Sequence, residues 1–323
     1  MFILLEGGMT KRFAITGVAG YIAPRHLKAI KDTGNQLIAA MDPHDSVGIL
    51  DQFFPQTKFF REFERFDRYL EKLRRLESEH QIDFISICSP NYLHDAHIRL
   101  ALRNGANVIC EKPLVLNPWN IDALKSLEEE TGRRVFSVLQ LRLHPTIIKL
   151  KEMQTQSPIR KKSQIRLTYI TSRGPWYLHS WKGNHEQSGG LATNIGIHFF
   201  DMLTWIYGDI EHCELHVENR ETIAGFLELE RASVQWFLSI SESSLPQTLA
   251  EKGQRTYRSI EIDEQNLEFS GGFTDLHTEI YRSAIDGNGF GIEENRSAIE
   301  IVSSLRNMSP IGIQKNSHPM VRE

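Results

Sequence analysis

The chain has 323 residues, of which 40% are hydrophobic and 24% are charged, and its formal net charge is −4. This composition is that of an ordinary globular protein, and it excludes intrinsic disorder, collagen and a small disulfide scaffold. The acidic balance argues against a general nucleic-acid binder, which is normally basic. The length predicts about two domains.

Cysteine use and hydropathy indicate the compartment. Cys88, Cys110 and Cys213 are odd in number, widely spaced and without a CxxC pattern. We therefore expect no disulfide framework, no metal site and no redox role for paired cysteines, and a cytoplasmic location. No apolar run reaches the roughly 18 residues that a membrane helix needs, so no membrane partner is expected. Residues 1–8 are interpreted as an extension, and Met1 and Met9 are both candidate start sites.

The first half alternates apolar runs with amphipathic segments. Continuous apolar runs bounded by breaker residues predict strands at residues 13–16, 37–41, 82–88, 107–110 and 135–139. Helices are predicted at residues 26–30, at residues 64–76 and between Asn117 and Gly132. This α/β pattern predicts a doubly wound parallel sheet, a Rossmann dinucleotide-binding domain over residues 9–143.

The second half has a different texture. Longer segments, several with alternating apolar and polar residues, predict strands at 163–171, 211–218, 222–230 and 232–240. Helices are predicted at 273–285 and 292–305. We expect an α+β domain over residues 144–323 with a mostly antiparallel open sheet.

The first strand is followed by a turn of small residues, Gly17 to Ala23. Such a turn lets backbone N–H groups approach a pyrophosphate at the start of a helix. The two glycines are three residues apart rather than two, so a plain tight turn remains an alternative. Asp42 ends the second apolar run, 25 residues after Gly17, where a carboxylate can meet the ribose hydroxyls of NAD and repel the 2′-phosphate of NADP.

Polar residues end the next two strands. Ser89, Pro90, Asn91 and His94 follow the third apolar run, at the strand ends where open α/β sheets bind ligands. Asn91 could equally be only a helix N-cap. Lys112 lies between Glu111 and Pro113 after the fourth strand; an amine there can exchange a proton near neutrality, although a solvated surface lysine is the ordinary alternative.

Four segments together resemble the Gfo/Idh/MocA family of nicotinamide-dependent sugar and polyol dehydrogenases: the glycine turn, residues 88–94 (CSPNYLH), the tripeptide EKP, and residues 189–201 with GxHxxD. The resemblance implies that Lys112 and His198 act in proton transfer at the reacting carbinol. Where the common family form has an aspartate, this chain has Asn194, which cannot accept a proton at neutral pH and is expected to orient the substrate. The residues expected at the NAD cofactor are Gly17, Ala19, Gly20, Tyr21, Ile22, Asp42, Ser89, Pro90, Asn91, His94, Glu111 and Lys112.

Finer segments resemble the branch of that family that oxidises the 3″-hydroxyl of UDP-N-acetyl-D-glucosaminuronic acid for lipopolysaccharide O-antigen synthesis. These segments are residues 21–26, 140–145, 169–174, 181–183 and 254–258. A substrate with two phosphates and a carboxylate needs several cations, and arginine pairs well with both groups. The residues expected at the substrate are Gln140, Arg142, His144, Arg173, Trp181, Asn194, His198, Arg255, Tyr257 and Arg258. Trp176 and Tyr177 are further candidates for stacking on sugar or uracil.

The resemblance also implies a homo-oligomer, a tetramer, and 2-oxoglutarate as a co-substrate that regenerates NAD⁺ in some relatives. Whether NADH is released or recycled, and whether Lys112 or His198 is the base, stays open. The alternatives are a family dehydrogenase for another sugar or an inositol, and a non-catalytic NAD-binding sensor.

Overall fold

The structure is a computed structural model that describes residues 10–156, 161–267 and 275–321. Two compact units divide this part of the chain, and neither unit is continuous in sequence. The first contains residues 10–114, 122–138 and 275–292; the second contains residues 115–121, 139–156, 161–267 and 293–321. Sequence predicted a single boundary after residue 143, whereas the contacts assign 275–292 to the first unit and 115–121 to the second.

The strands and helices are numbered in chain order. The strands are β1 (Arg12–Thr16), β2 (Gln36–Met41), β3 (Lys58–Phe60), β4 (Phe84–Ile87), β5 (Asn107–Cys110), β6 (Val135–Ser137), β7 (Ser163–Thr171), β8 (Ile210–Glu218), β9 (Thr222–Leu229), β10 (Ala232–Ser239), β11 (Thr256–Ile262) and β12 (Gln265–Asn266). The helices are α1 (Ala23–Asp32), α2 (Ile49–Phe53), α3 (Phe63–Arg74), α4 (His94–Arg103), α5 (Pro118–Thr131), α6 (Pro145–Gln156), α7 (Trp176–His179), α8 (His185–Ser188), α9 (Ile197–Tyr207), α10 (Gln247–Ala250), α11 (Leu276–Ile285) and α12 (Arg296–Asn307).

The first unit contains a parallel sheet of six strands in the order β3-β2-β1-β4-β5-β6. This is the strand order of a doubly wound dinucleotide-binding fold. The order in which strands are added to the sheet reverses between β1 and β4, and sheets of this kind bind ligands at that point, at the carboxyl ends of the strands. The central strands are buried on both faces, because the consecutive residues Phe13, Ala14 and Ile15 of β1, and Ile85 and Ser86 of β4, are all fully buried. Burial on both faces explains why these strands appear in the sequence as continuous apolar runs.

The second unit contains a six-stranded sheet in the order β12-β11-β7-β10-β9-β8. The neighbouring strands are antiparallel except for β7 and β10, which pair in parallel. Its core holds Trp236, which is fully buried and makes an edge-to-face contact with Phe200 at a centroid distance of 5.4 Å.

The predicted fold class, a Rossmann domain with an α+β partner and a mostly antiparallel sheet, is confirmed. Sequence missed β3, α6 and β11, and it began the last helix at residue 292, whereas α12 begins at Arg296 after a short 3₁₀ turn, Glu293–Asn295. The predicted extension at 1–8 and the predicted helix start at 273 lie outside the described residues. Among the residues that the structure describes, no helix is both long and apolar enough to cross a membrane.

Candidate active site

The turn after β1 is built around Gly17, whose φ of +77° lies in the left-handed region. A Cβ at this position would lie 2.5 Å from the backbone of Cys88, so only glycine fits. The Gly17 N–H donates to the Met41 carbonyl at 2.8 Å, and the Gly20 N–H donates to the Gly17 carbonyl at 3.0 Å. The turn is therefore closely packed against β2 and the end of β4, although its glycine spacing departs from the usual one.

An open groove lies over this turn. The residues that line it are Val18, Ala19, Gly20, Tyr21, Pro24, Arg25, Ser46 and Ile49. Helix α1 starts here with Pro24 in its first turn, and that turn carries no acidic residue. A helix N-terminus presents N–H groups and a partial positive charge, which suit a phosphate group. Tyr21 is 88% exposed, so its ring is open to a ligand.

Asp42 directly follows β2, lies beside the same turn and is buried. Its Oδ2 accepts a hydrogen bond from the Ala19 N–H at 3.0 Å, and its Oδ1 accepts one from the His44 N–H at 2.9 Å. Each carboxylate oxygen has two lone pairs, so the group retains acceptor capacity for a ribose hydroxyl. The glycine turn, the start of α1 and Asp42 thus fit a dinucleotide.

The end of β4 is organised by histidines. The Ser89 hydroxyl lies 2.9 Å from His97 Nδ1, and the same nitrogen lies 3.1 Å from the Thr16 hydroxyl. Asn91 is buried and begins a 3₁₀ turn, Asn91–Leu93, that precedes α4. Because the N-cap of α4 is Leu93, the alternative of Asn91 as its N-cap is wrong.

His94 has a role that sequence did not predict. Its Nδ1 lies 2.7 Å from the Pro113 carbonyl and its Nε2 lies 2.8 Å from the Ser89 carbonyl. Burial lowers the pKa of its imidazole. The ring was expected at the cofactor, but the structure shows it bracing the end of β4 against the loop that follows Lys112.

Glu111 was also expected at the cofactor, but its side chain faces the interior. Its Oε1 accepts hydrogen bonds from His26 Nε2 at 2.9 Å and from His277 Nε2 at 3.1 Å. Lys112 follows at the end of β5, partly buried, and the Lys112–Pro113 peptide bond is cis. The reactive lysine that sequence predicts thus lies between two residues that histidines hold.

In the second unit, Asn194 and His198 lie on one continuous helical stretch. Asn194 is in a π-helical segment, Ala192–Gly196, which leads directly into α9. Such segments are often found at functional sites. The Asn194 amide nitrogen donates to the Tyr177 hydroxyl, and His198 Nε2 lies 3.4 Å from the Gln140 amide nitrogen. The structure therefore brings the predicted residues Gln140 and His198 together.

Tyr177 differs from the expectation that it stacks on a ligand. It is 2% exposed, burial raises the pKa of its phenol, and its hydroxyl binds Asn194. Its role is to hold the Asn194 amide in one orientation.

Arg142 was predicted to bind the anionic substrate, but the structure gives it internal partners. It is buried; its Nε and Nη2 donate to the two carboxylate oxygens of Asp201 at 3.1 and 2.6 Å, and Nη1 donates to Glu294 Oε1 at 3.1 Å. Burial raises the pKa of the Asp201 carboxyl, and Arg142 opposes that rise. This ion pair joins the 3₁₀ turn at Gln140–Leu143 to α9, the helix that carries His198.

His144 also has an internal role. It is buried, and its Nδ1 accepts from the Thr146 N–H at 3.2 Å in the first turn of α6. Helix α6 was not predicted from the sequence, and so His144 was assigned to the substrate instead of to the start of a helix.

Of the remaining substrate candidates, Arg173 follows the end of β7 and Arg255 precedes the start of β11. Arg173 and Arg255 are exposed, and the Ser172 N–H donates to the Arg255 carbonyl at 2.8 Å, so the chain segments that carry them are adjacent. The Arg258 guanidinium lies 5.5 Å from the centroid of the Tyr169 ring. Tyr257 packs partly buried against the core. The Lys182 ammonium nitrogen lies 4.0 Å from the centroid of the Trp181 ring. Arg173 and Arg255 are thus exposed at the adjacent ends of two neighbouring strands.

Cys88 and Cys110 lie in surroundings that do not suit a redox role. All three are free, and burial raises the pKa of the Cys88 and Cys110 thiols well above its usual value. A thiol in such surroundings is unreactive.

Sequence reasoning missed His26, His97, His277 and Tyr281 as neighbours of the site. His26 and His277 lie 251 positions apart in the chain and meet only in the folded unit. The one local signal was His26 within the segment 21–26 that carried the resemblance.

Two family models match the chain: residues 11–139 match the NAD-binding Rossmann-fold domain of the Gfo/Idh/MocA oxidoreductases, and residues 161–249 match their C-terminal alpha/beta domain. A crystal structure of the WlbA (WbpB) dehydrogenase from Thermus thermophilus in complex with NAD and alpha-ketoglutarate is 52% identical, covers 96% of this chain and 99% of its own, and superposes with a TM-score of 0.92. The chain belongs to the Gfo/Idh/MocA family. The predicted family and NAD cofactor are therefore confirmed.

Further relatives of this family are similar over different lengths. A second Thermus thermophilus WlbA (WbpB) structure, in complex with NAD and UDP-GlcNAcA, is also 52% identical over 96% of this chain and 99% of its own, with a TM-score of 0.91. The inositol 2-dehydrogenase of Rhizobium meliloti (strain 1021) is 24% identical over 62% of this chain. The matched stretch spans about half, 56%, of that relative's length.

Proposed function

We propose that this Gfo/Idh/MocA protein is an NAD-dependent dehydrogenase that oxidises the 3″-hydroxyl of UDP-N-acetyl-D-glucosaminuronic acid to the 3-keto sugar. The observation that carries the proposal is the 52% identity, over nearly the full length of both chains, to a dehydrogenase crystallised with NAD and UDP-GlcNAcA.

The first unit supplies the cofactor site in this proposal. When bound, NAD⁺ accepts the hydride that leaves the sugar carbon. The Gly17 turn and the start of α1 hold the pyrophosphate, and Asp42 binds the adenosine ribose. Because the Asp42 carboxylate would repel a 2′-phosphate, we expect NAD to be preferred over NADP.

Lys112 and His198 are the two candidates for the group that takes the hydroxyl proton. Asn194 takes no proton at neutral pH and orients the substrate instead, because Tyr177 fixes its amide. Gln140, 3.4 Å from His198, helps to place the imidazole.

The anionic substrate would be bound in the second unit by arginines at and near the ends of β7 and β11. Arg173, Arg255 and Arg258 are the candidates for the diphosphate and the uronate carboxylate, with Trp181 and Tyr257 beside them. We exclude Arg142 and His144 from this set, because the ion pair with Asp201 and the start of α6 engage them.

Finer parts of the proposal concern the biological setting. We propose that 2-oxoglutarate regenerates NAD⁺, because a Thermus relative binds alpha-ketoglutarate together with NAD. We also propose that the protein is a cytoplasmic tetramer and that it acts in O-antigen sugar synthesis. The three free thiols agree with a reducing compartment.

The test is turnover with a matched panel of alcohols: UDP-N-acetylglucosaminuronate, UDP-N-acetylglucosamine, which lacks the carboxylate, and myo-inositol. We expect oxidation of the uronate alone. Oxidation of inositol but not of the uronate would replace the proposed substrate. Cofactor binding without turnover of any panel member, and without loss of cofactor affinity in Lys112→Met or His198→Asn, would support the sensor alternative.

A further inference from the structure

A chain of buried polar side chains in the first unit ends at the residue before Lys112. The Ser86 hydroxyl lies 2.5 Å from the Tyr281 hydroxyl, which lies 2.8 Å from His26 Nδ1. His26 Nε2 and His277 Nε2 both lie at hydrogen-bond distance from Glu111 Oε1, at 2.9 and 3.1 Å. All five residues are buried.

The proton positions in this chain follow from the chemistry of its groups. Burial alone raises the pKa of the Glu111 carboxyl, but the hydrogen bonds from the two histidines outweigh it and hold that pKa well below its usual range. An ionised carboxylate only accepts, so both Nε2 atoms must donate. Burial lowers the pKa of His26, so the ring is neutral and its Nδ1 accepts from Tyr281. Every donor in the chain is thus directed towards Glu111.

The other oxygen of Glu111 is directed at the lysine. Glu111 Oε2 accepts from the Lys112 N–H at 3.3 Å, while the Glu111 N–H donates to the Ile87 carbonyl at 2.9 Å. On the far side, His94 holds the Pro113 carbonyl at 2.7 Å. The backbone of Lys112 is therefore bounded on both sides by residues that imidazole rings keep in place.

We propose that Glu111, fixed by His26 and His277, is a positioning residue that acts through Lys112. The inference rests on the proposed proton-transfer role of Lys112. It assigns Glu111 to the support of the lysine instead of to the cofactor.

The same three residues could also hold a metal ion, since their ligand atoms lie within 4.8 Å of one another. The observed distances from Oε1 to the two nitrogens are those of hydrogen bonds, and each Nε2 that donates is unable to ligate. A stoichiometric zinc content in the purified protein, lost in Glu111→Gln, would overturn the hydrogen-bonded assignment.

Glu111→Gln is the sharpest variant. A glutamine oxygen at the Oε1 position still accepts from both histidines, but the amide nitrogen then faces the Lys112 N–H, donor against donor. We expect kcat for the uronate to fall on the order of 100-fold, the size of effect that a small misplacement of a reacting group produces. KM for the sugar and the affinity for NADH should change little, because Glu111 contacts neither ligand in this proposal.

A double-mutant cycle with Lys112→Met separates positioning from a general structural effect. If Glu111 acts only through Lys112, adding Glu111→Gln to Lys112→Met lowers kcat no further. Independent, multiplicative losses would overturn the inference. A Lys112→Met variant with wild-type kcat would instead refute the proposed role of Lys112, and the inference with it.

Two further comparisons keep the test decisive if Glu111→Gln folds poorly. His277→Gln retains an N–H donor and should preserve most of kcat, whereas His277→Phe should lose it; equal losses in both variants would contradict the inference. Glu214→Gln is the matched control, because Glu214 of the second unit is also held by two histidines, at 3.0 and 2.8 Å, and should leave kcat unchanged.

Discussion

Two carboxylates in this protein are each held by a pair of histidines, and they serve different ends. Glu111 is buried beside Lys112, whereas the Glu214 side chain on β8 is 24% exposed and also accepts from the Asn316 amide at 2.8 Å. His216, one of its partners, lies 2.8 Å from the Ser317 hydroxyl. A carboxylate held by two histidines therefore lies next to a candidate catalytic lysine in the first unit. In the second unit, the same arrangement joins the C-terminal segment, residues 308–321, to a sheet.

The largest effect is expected from a substitution of Lys112. If Lys112, which Glu111 positions, exchanges the hydroxyl proton, Lys112→Met should lower kcat about 10²- to 10⁴-fold, the usual contribution of a general acid or base. Steady-state oxidation of the uronate, with NADH binding measured in parallel, checks this. Retained affinity for NADH shows that the loss is one of turnover; unchanged kcat would place the chemistry elsewhere.

Asp201 is a third carboxylate for comparison, because it is buried and its partner is a true cation. Arg142→Met leaves Asp201 buried without its guanidinium, and we expect the free energy of unfolding to fall by about 3–5 kcal/mol. Denaturant unfolding measures it. A control variant, Arg173→Met, removes an exposed arginine and should unfold like the wild type. A loss below about 1 kcal/mol in Arg142→Met would mean that solvent reaches the pair.

The loss of stability at acid pH should occur in different pH ranges for a group of the first unit and a group of the second. Burial, and to a lesser extent His94, lowers the pKa of His97 to about 4, so the folded protein binds fewer protons there than the unfolded chain. Burying His97 in its neutral form therefore costs nothing above pH 6.5. As the pH falls from 6.5 towards 4, the free energy of unfolding decreases by on the order of 3 kcal/mol, because the unfolded chain binds a proton that the folded protein does not.

Glu214 titrates in a lower window. The hydrogen bond from His216, together with Asn316 and His212, lowers the pKa of Glu214 to about 2, so its contribution is present above pH 4.5 and is lost as the pH falls towards 2. Unfolding followed against pH in wild type and in His97→Gln checks both windows. The variant should lose part of the slope between pH 6.5 and 4 and keep the slope below it; identical slopes in that upper window would contradict the assignment.

The smallest effect is expected from Glu214→Gln itself. It weakens hydrogen bonds at a partly exposed site, so we expect about 0.5–1.5 kcal/mol of lost stability. Limited proteolysis should show earlier cleavage in the C-terminal segment, 308–321, with kcat unaltered. A large decrease in kcat would contradict a purely structural role for Glu214.

Local patterns predicted the Rossmann sheet, because strands buried on both faces leave continuous apolar runs such as 13–16 and 107–110. They also located the Gly17 turn, Asp42 and Lys112, whose roles depend on a strand end. They failed where distant segments meet: no local signal joins His277 to Glu111 or Arg142 to Asp201. Arg142 and His94 were assigned to ligands because sequence shows a side chain's chemistry but not whether another part of the fold has already engaged it.

An isotope label shows where the hydride of the sugar goes. UDP-N-acetylglucosaminuronate carrying deuterium at C3″ is incubated with the wild-type protein and NAD⁺, and the nucleotides are examined by mass spectrometry. The proposed dehydrogenase reaction places the deuterium in the NADH formed and leaves a sugar nucleotide that has lost its C3″ deuterium and its hydroxyl hydrogen. An unchanged sugar nucleotide, with the protein folded and NAD bound, would contradict it.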